Sequence, residues 1–234
     1  MLTSEVAPPA LAVGLVLLLA VFAWAVMIIH ARSIAGDMAM GLGSPGAFAT
    51  GWLLMMAAMM LPTVLPLVFE FVRRSESRAG WHIATGLLIT TYLCVWLAFG
   101  FGAYLLYHAL GMPWTDQDLI GGVSLVFAGF YALSPVKRSS DARCRELCAL
   151  HGPLPFNLQH SAILIGARYS ISCVGSSSAL MVAMVLIGMS DVGGMATLSA
   201  LVLLYKLPLM DNNWLRALLS VALAGFGLCH FSVG

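Results

Sequence analysis

Two adjacent pairs of methionines, Met55 with Met56 and Met59 with Met60, lie in the apolar stretch 52–62. On a helix that turns by about 100° per residue, the four side chains fall within an arc of roughly 140° and share one face. A thioether sulfur is a soft ligand that suits Cu(I) and suits Mg²⁺ or Ca²⁺ poorly. Methionine also fills gaps in hydrophobic cores because its side chain is flexible. The spacing therefore leaves open a packing face and a face that contacts a soft metal ion.

Cys144 and Cys148 lie four residues apart, so on a helical turn both thiols would point the same way. The neighbouring Arg143 and Arg145 favour the thiolate form, which is the form that binds metal ions. A lone Cys-x-x-x-Cys pair has low specificity, so two incidental thiols remain the alternative to a metal-binding pair.

A third group of candidate residues forms a stripe on the predicted helix near 162–189. Its members begin with Cys173 and continue at i+3, i+4, i+8 and i+11 with Ser176, Ser177, Met181 and Met184. Polar and soft side chains in a membrane helix usually face the interior of the helix bundle. The stripe therefore continues a line of soft metal ligands toward the cysteines, or it packs helices through small serines and flexible methionines.

A separate set of candidates lies on the predicted outer side of the membrane, at or near the ends of predicted spans. It consists of His30, Asp37, Met38, Met40, His108 and His230. Histidine, carboxylate and thioether groups together could form a mixed copper site. Histidines that merely end helices at a hydrated interface are the alternative interpretation.

The composition indicates an integral membrane protein. Hydrophobic residues make up 61% of the chain and charged residues only 9%, whereas a soluble domain carries about 25% charged residues. The N-terminal stretch lacks the basic residues of a signal peptide, so we interpret the first apolar run as a retained span. The net charge of +1 gives no reason to expect a nucleic-acid partner.

The apolar segments predict an all-α, polytopic transmembrane helix bundle that forms one domain over 1–234. About seven spans are predicted, near 10–30, 47–72, 83–110, 119–133, 162–189, 192–210 and 215–233; the fourth is short, so six spans are possible. A short polar link occupies 31–45, and the sizeable polar segment occupies 134–160. Pro62 and Pro66 should kink the second span, and the backbone carbonyls that they free must find donors from neighbouring groups or water.

Lysine and arginine set the orientation, because they concentrate in the cytoplasmic loops of bacterial membrane proteins. With the N-terminus in the cytoplasm, the inner loops hold Arg73, Arg74, Arg78, Lys137, Arg138, Arg143, Arg145, Lys206 and Arg216, and the outer loops hold only Arg32. We therefore predict a multi-pass protein of the bacterial inner membrane with a cytoplasmic N-terminus. Glu70, close to Arg73 and Arg74, is expected to form an ion pair at the interface.

The sequence carries no motif of a common enzyme class. A Gly-x-Ser-x-Gly elbow, a P-loop, an His-Glu-x-x-His helix and a dinucleotide-binding glycine pattern are all missing from it. We therefore predict no catalytic residues and do not expect an enzyme, although the chain could be a subunit of a membrane enzyme complex.

The stretch 52–62 resembles the Trp-x-x-Met-x-x-Ala-Met-Met-x-Pro signature of a bacterial family of unknown function, predicted to be metal-binding integral membrane proteins. Segment 131–137 with the following cysteine pair resembles its Tyr-Gln-x-Thr-Pro-x-Lys motif, and segment 170–181 resembles its Tyr-Cys-x-Gly-Cys-Cys-Trp-Ala-Leu-Met stretch. The resemblance covers about 35–206. Ser176 and Ser177 replace the adjacent cysteines of that family, and Ser178 replaces its tryptophan, so the chain is identified as a cysteine-depleted member.

These observations support three hypotheses. The leading one is a membrane protein that binds or hands on a soft transition metal, with copper as the expected metal. The candidate ligands are Met55, Met56, Met59, Met60, Met181, Met184, Cys144, Cys148 and Cys173. The second is a non-catalytic accessory subunit of a larger membrane complex, such as a copper-dependent membrane oxygenase, with other membrane subunits as partners. The third is a small transporter that uses the kinked second span as a gate.

Overall fold

The computed structural model describes residues 8–39, 44–109, 117–150, 154, 157–187, 192–206 and 214. This part of the chain is helical and has no strand; its helices are α1 (Pro8–Ala39), α2 (Pro45–Ser75), α3 (Trp81–Ala109), α4 (Gln117–Leu133), α5 (Pro135–Ala149), α6 (Leu158–Ile187) and α7 (Val192–Lys206). Among the described residues, three segments are long and apolar enough to cross a membrane: Pro8–Ile29, Pro45–Ser75 and Trp81–Ala109. The predicted all-helical fold is confirmed.

The helices depart from the predicted segments in two places. Helix α1 continues to Ala39, through most of the stretch 31–45 that was expected to be a polar link. Helix α5 fills the first half of the polar segment 134–160. Ser134 caps α5 by accepting a hydrogen bond from the backbone nitrogen of Lys137, and Pro135 follows at the first helical position, where a missing N–H costs nothing. The predicted span 215–233 lies outside the described residues.

Helix α2 is the central helix, since its side chains are buried around most of its circumference. Helix α1 packs along it through a stripe of buried residues that are mostly small: Val16, Ala20, Ala23 and Met27. The indole nitrogen of Trp24 on α1 donates to the carbonyl oxygen of Ala58. That carbonyl is the one that Pro62 leaves without its helical donor, so the expectation that a neighbouring group would satisfy it is confirmed.

Helix α3 approaches both α2 and α6 closely, and glycines make the two contacts possible. A Cβ atom on Gly100 would collide with the indole ring of Trp52, whose nitrogen donates to the carbonyl oxygen of Trp96 at 2.8 Å. A Cβ on Gly166 of α6 would lie 2.8 Å from the carbonyl oxygen of Leu88. Because backbone cannot move aside cheaply, these positions fix how α2, α3 and α6 sit against one another.

Helices α4 and α5 both pack along α6 and make few contacts with each other. The C-terminal ends of α2 and α5 are joined by Arg74, which donates to the carbonyl oxygen of Ala149 at 3.2 Å. Just beyond the two helices, Arg78 donates to the carbonyl oxygen of Leu154 at 3.4 Å. Arg74 also pairs with Glu70 at 2.6 Å, and Arg73 pairs with the same carboxylate at 2.8 Å. The ion pair expected for Glu70 is therefore confirmed.

Candidate metal centre

The methionine face of α2 lies in the protein interior. Met55, Met56, Met59 and Met60 have at most 1% of their surface exposed. On the helical wheel all four lie within about 80° of the direction shared by Trp52 and Thr63. Both of those residues touch α3, Trp52 through the Trp96 carbonyl and Thr63 through the hydroxyl of Tyr92. The centre of this face therefore points toward α3.

The hydroxyl group of Tyr92 joins this face to the thiol of Cys173 on α6. Its oxygen lies 3.2 Å from the carbonyl oxygen of Met60, 3.3 Å from the hydroxyl of Thr63 and 3.4 Å from the sulfur of Cys173. Thr63 also donates to the Met60 carbonyl at 2.8 Å. Tyr92, Met60 and Cys173 are fully buried. One turn of α2 and one thiol of α6 thus share a single hydrogen-bonding partner.

A second tyrosine, Tyr169, contacts the same turn of α2 and lies near the two cysteines of α5. The hydroxyl of Tyr169 donates to the carbonyl oxygen of Thr63 at 2.6 Å, and its ring lies against that of Tyr92 with centroids 5.9 Å apart. Cys144 and Cys148 of α5 are electrostatic neighbours of this hydroxyl, as is Cys173. The three predicted cysteines therefore all lie near Tyr169, but they do not by themselves form a cluster that could hold a metal ion. Cys173 and Cys144 are buried, and Cys148 is half-buried.

The remaining stripe residues of α6 are also buried: Ser176, Ser177, Met181 and Met184. Tyr169 of α6 contacts Thr63 of α2. Further along α6, Cys173 is linked through Tyr92 to Met60, which comes earlier in α2. The two helices therefore run in opposite directions. A rise of 1.5 Å per residue then places Ser176 and Ser177 at about the level of Met56 and Met55. The serines that replace the family's adjacent cysteines therefore lie level with the first methionine pair, and Met181 and Met184 lie beyond them.

Lys137 and Asp141 are buried, although the segment that contains them was predicted to be a polar loop region. Lys137 was expected in an inner loop, but it is 97% buried and its amino group donates to the carbonyl oxygen of Ser176 at 2.8 Å. The same amino group lies 3.6 Å from a carboxylate oxygen of Asp141, which is also buried. With Cys144 and Cys148 they form a stripe at i, i+4, i+7 and i+11 that faces α6. The first half of the polar segment is therefore an amphipathic helix that packs one face against α6.

The predicted outer site is described only in part. His30, Asp37 and Met38 belong to the last turns of α1, and Met40 and His230 lie outside the described residues. His108 is exposed near the end of α3, with its ring 4.4 Å from that of Tyr104. The outer copper site remains a prediction.

The donor chemistry of the buried centre fits a soft, monovalent metal ion. Within the described residues no three His, Cys, Asp or Glu side chains form a cluster that could hold a metal ion, so a conventional zinc or calcium site is not present there. The sulfur atoms of four methionines and of Cys173 are buried in the same interior. Thioether and thiolate groups are the ligands that Cu(I) prefers.

The sequence pointed to the sulfur side chains as candidate ligands but not to the hydroxyl groups near Cys173. Tyr92, Tyr169 and Thr63 belong to no recognisable spacing motif. The only signal available was that a buried tyrosine hydroxyl in a membrane segment needs a partner. Which group becomes that partner depends on how α2, α3 and α6 pack together.

In the part of the chain that the structure describes, the protein is all-helical and buries methionine and cysteine side chains on α2 and α6. The chain belongs to the PpoB2 family, described as copper chaperone, which matches residues 49–230. The relation to copper that was predicted from the soft side chains is therefore supported. Comparison with curated proteins and with solved structures gave no match.

Proposed function

We propose that this protein is a membrane-embedded copper chaperone that takes up Cu(I) inside its helix bundle. The α2 methionines and Cys173 hold the ion, and Cys144 and Cys148 receive it toward the cytoplasmic side. One observation carries the proposal: the Tyr92 hydroxyl touches both the Met60 carbonyl and the Cys173 sulfur, at 3.2 and 3.4 Å. The last methionine turn of α2 and a thiol of α6 are therefore at the same level of the interior.

The charge balance of this donor set favours Cu(I) over divalent ions. A buried charge is costly unless it is compensated inside the protein. One Cu(I) ion bound by one thiolate and by neutral thioethers gives a unit with no net charge, whereas a divalent ion would keep a positive charge in the same place. Methionine and cysteine are also the residues whose softness selects Cu(I). Copper is the cargo here, and the residues supply binding and passage rather than catalysis.

The membrane setting and the direction of passage are part of the proposal. Three apolar helices are long enough to span a bilayer, and the excess of basic residues in predicted inner loops supports a cytoplasmic N-terminus. Arg74, which joins α2 to the end of α5, lies at the same end of the bundle as Cys148. Copper that enters from the methionine side would therefore reach Cys173 first and the α5 thiols afterwards.

The test is Cu(I) binding by detergent-purified protein, measured by competition with a chromogenic Cu(I) chelator under reducing conditions. Leucine at Met55, Met56, Met59 and Met60 should abolish or strongly weaken binding, while Met→Leu exchanges conserve volume and leave the fold intact. Met27→Leu is the matched control, because Met27 is a buried methionine on a different helix, α1. Equal binding by the wild type and the fourfold variant would refute the site.

The accessory-subunit alternative makes a different prediction for the same preparation. If the chain is a structural subunit of a larger membrane complex, it will run at a native mass that includes other proteins, and it will hold no copper after reconstitution with Cu(I). A chain that binds copper as a single species supports the chaperone. Cys144→Ser with Cys148→Ser should keep binding but slow release to a chelator, if these thiols are the exit.

A further inference from the structure

We infer that Tyr92 positions the sulfur of Cys173 for copper and supplies its hydroxyl hydrogen to that sulfur once the metal is bound. The inference rests on the proposed function, since it assigns a role toward the same copper ion. Tyr92 is not a copper ligand in this account. It acts through Cys173.

The hydrogen atoms around Tyr92 can be assigned from their partners. A hydroxyl group carries one hydrogen and two lone pairs, and a carbonyl oxygen only accepts. The Thr63 hydroxyl donates to the Met60 carbonyl at 2.8 Å, and the Tyr92 hydroxyl donates to the same carbonyl at 3.2 Å. The Tyr92 oxygen is then available as an acceptor, and Cys173 can donate its S–H to it over 3.4 Å. Without metal, the thiol is therefore held by Tyr92 in one orientation.

Copper binding reverses this hydrogen bond. Cu(I) replaces the thiol hydrogen, so an S–Cu bond forms as the S–H bond breaks, and the proton leaves to the buffer; no electron is transferred. The metal-bound sulfur can then only accept. The hydroxyl of Tyr92 is in contact with it and can turn its hydrogen from Met60 to the sulfur. The Met60 carbonyl keeps the donor from Thr63, so no buried polar group is left without a partner.

Burial makes the hydrogen bond from Tyr92 to the metal-bound sulfur stronger than the same bond would be in water. Tyr92 and Cys173 are fully buried, and hydrogen bonds to a charged acceptor are strongest where water is excluded. The ring of Tyr92 is held against that of Tyr169, with centroids 5.9 Å apart, so the hydroxyl stays in place while its hydrogen turns. Copper binding at Cys173 therefore changes, through Tyr92, the hydrogen bonding of the Met60 carbonyl in α2, the helix that contains the two prolines.

The experiment compares Tyr92→Phe with Tyr131→Phe. Each variant removes one hydroxyl that donates to a backbone carbonyl, but Tyr131 donates to Gly175 and does not touch Cys173. Two quantities are measured on purified protein: Cu(I) affinity by chelator competition, and the ultraviolet absorption band of the copper–thiolate bond. Tyr92→Phe should weaken binding by about tenfold, the value of one hydrogen bond to a charged group, and should shift the band. Tyr131→Phe should change neither.

A double variant separates positioning from general damage. In protein that already carries Cys173→Ser, Tyr92→Phe should have little further effect, because the group on which it acts is gone. An equal loss in both backgrounds, or an unshifted band in folded Tyr92→Phe protein, would overturn the inference while leaving copper binding established. Wild-type protein that binds no Cu(I) would instead refute the proposed function itself. Circular dichroism of each variant verifies the fold.

Discussion

Trp24 on α1 donates a 3.0 Å hydrogen bond to the carbonyl oxygen of Ala58 on α2. Ala58 lies four residues before Pro62, which has no backbone N–H to offer it. In an apolar interior, a carbonyl without a donor is costly. The pair therefore explains how the central helix keeps a proline just after its methionine face.

Replacing Trp24 by phenylalanine should destabilise the protein by about 1–3 kcal/mol, because the Ala58 carbonyl loses its donor while the ring is kept. The measurement is unfolding in mixed micelles, followed by circular dichroism. Trp214→Phe is the control, since Trp214 is 75% exposed. In a Pro62→Ala background, residue 62 can donate to Ala58 itself, so Trp24→Phe should cost much less there; an undiminished cost would show that the hydrogen bond is not the cause.

Gly100→Ala should destabilise the protein by about 1–3 kcal/mol through overpacking. The new methyl group would collide with the indole of Trp52 and break its hydrogen bond to the Trp96 carbonyl. Gly102→Ala, two residues away in the same helix, meets nothing within 4 Å, so it should be neutral or stabilising by up to about 1 kcal/mol. Thermal unfolding of the two variants tests this, and effects of the same sign and size would contradict the proposed close contact.

Lys137→Met should destabilise the protein by about 3 kcal/mol, because it removes one partner of a buried ion pair. Adding Asp141→Leu should recover most of the loss, since the second charge is then removed as well. Arg138→Met is the matched control on the exposed side of α5, where a change within about 0.5 kcal/mol is expected. If Lys137→Met changes the stability as little as Arg138→Met does, then this face of α5 is not packed against α6.

Thiol labelling tests both the burial of the cysteines and the proposed orientation. Variants that keep only Cys148 or only Cys173 are treated with a membrane-impermeant maleimide in inside-out and right-side-out vesicles. Cys148 is half-buried and should react in inside-out vesicles only, whereas Cys173 is fully buried and should react in neither until the protein is denatured. Labelling of Cys148 from the opposite side would reverse the proposed topology.

Some features of the site could be predicted because they depend on local sequence alone. The methionines share a face because a helix turns by a fixed angle per residue, and Pro62 leaves Ala58 without a donor wherever the helix lies. The stripe from Cys173 to Met184 follows from the same regularity, and its residues are buried as expected. The ion pair of Glu70 with Arg73 and Arg74 spans at most one helical turn, so it too could be predicted.

Other features could not be predicted because they depend on which helices meet. The segment 134–160 was interpreted as a polar region outside the bundle because its average composition is polar, yet its charged stripe is buried against α6. A composition does not report whether a lysine will find a carbonyl oxygen on another helix. Once Ser176 and Asp141 satisfy Lys137, its burial becomes tolerable.

By itself, the sequence determined an all-helical chain with long apolar segments, a methionine face, and cysteines of the right chemistry for a soft metal. The tertiary structure decided that Tyr92 stands between Met60 and Cys173, although Tyr92 and Cys173 are 81 positions apart. The physical reason is that helical periodicity is set within a few residues, whereas the register between helices is set by packing. Here that register depends on Gly100 and Gly166, whose missing side chains let α3 approach its neighbours.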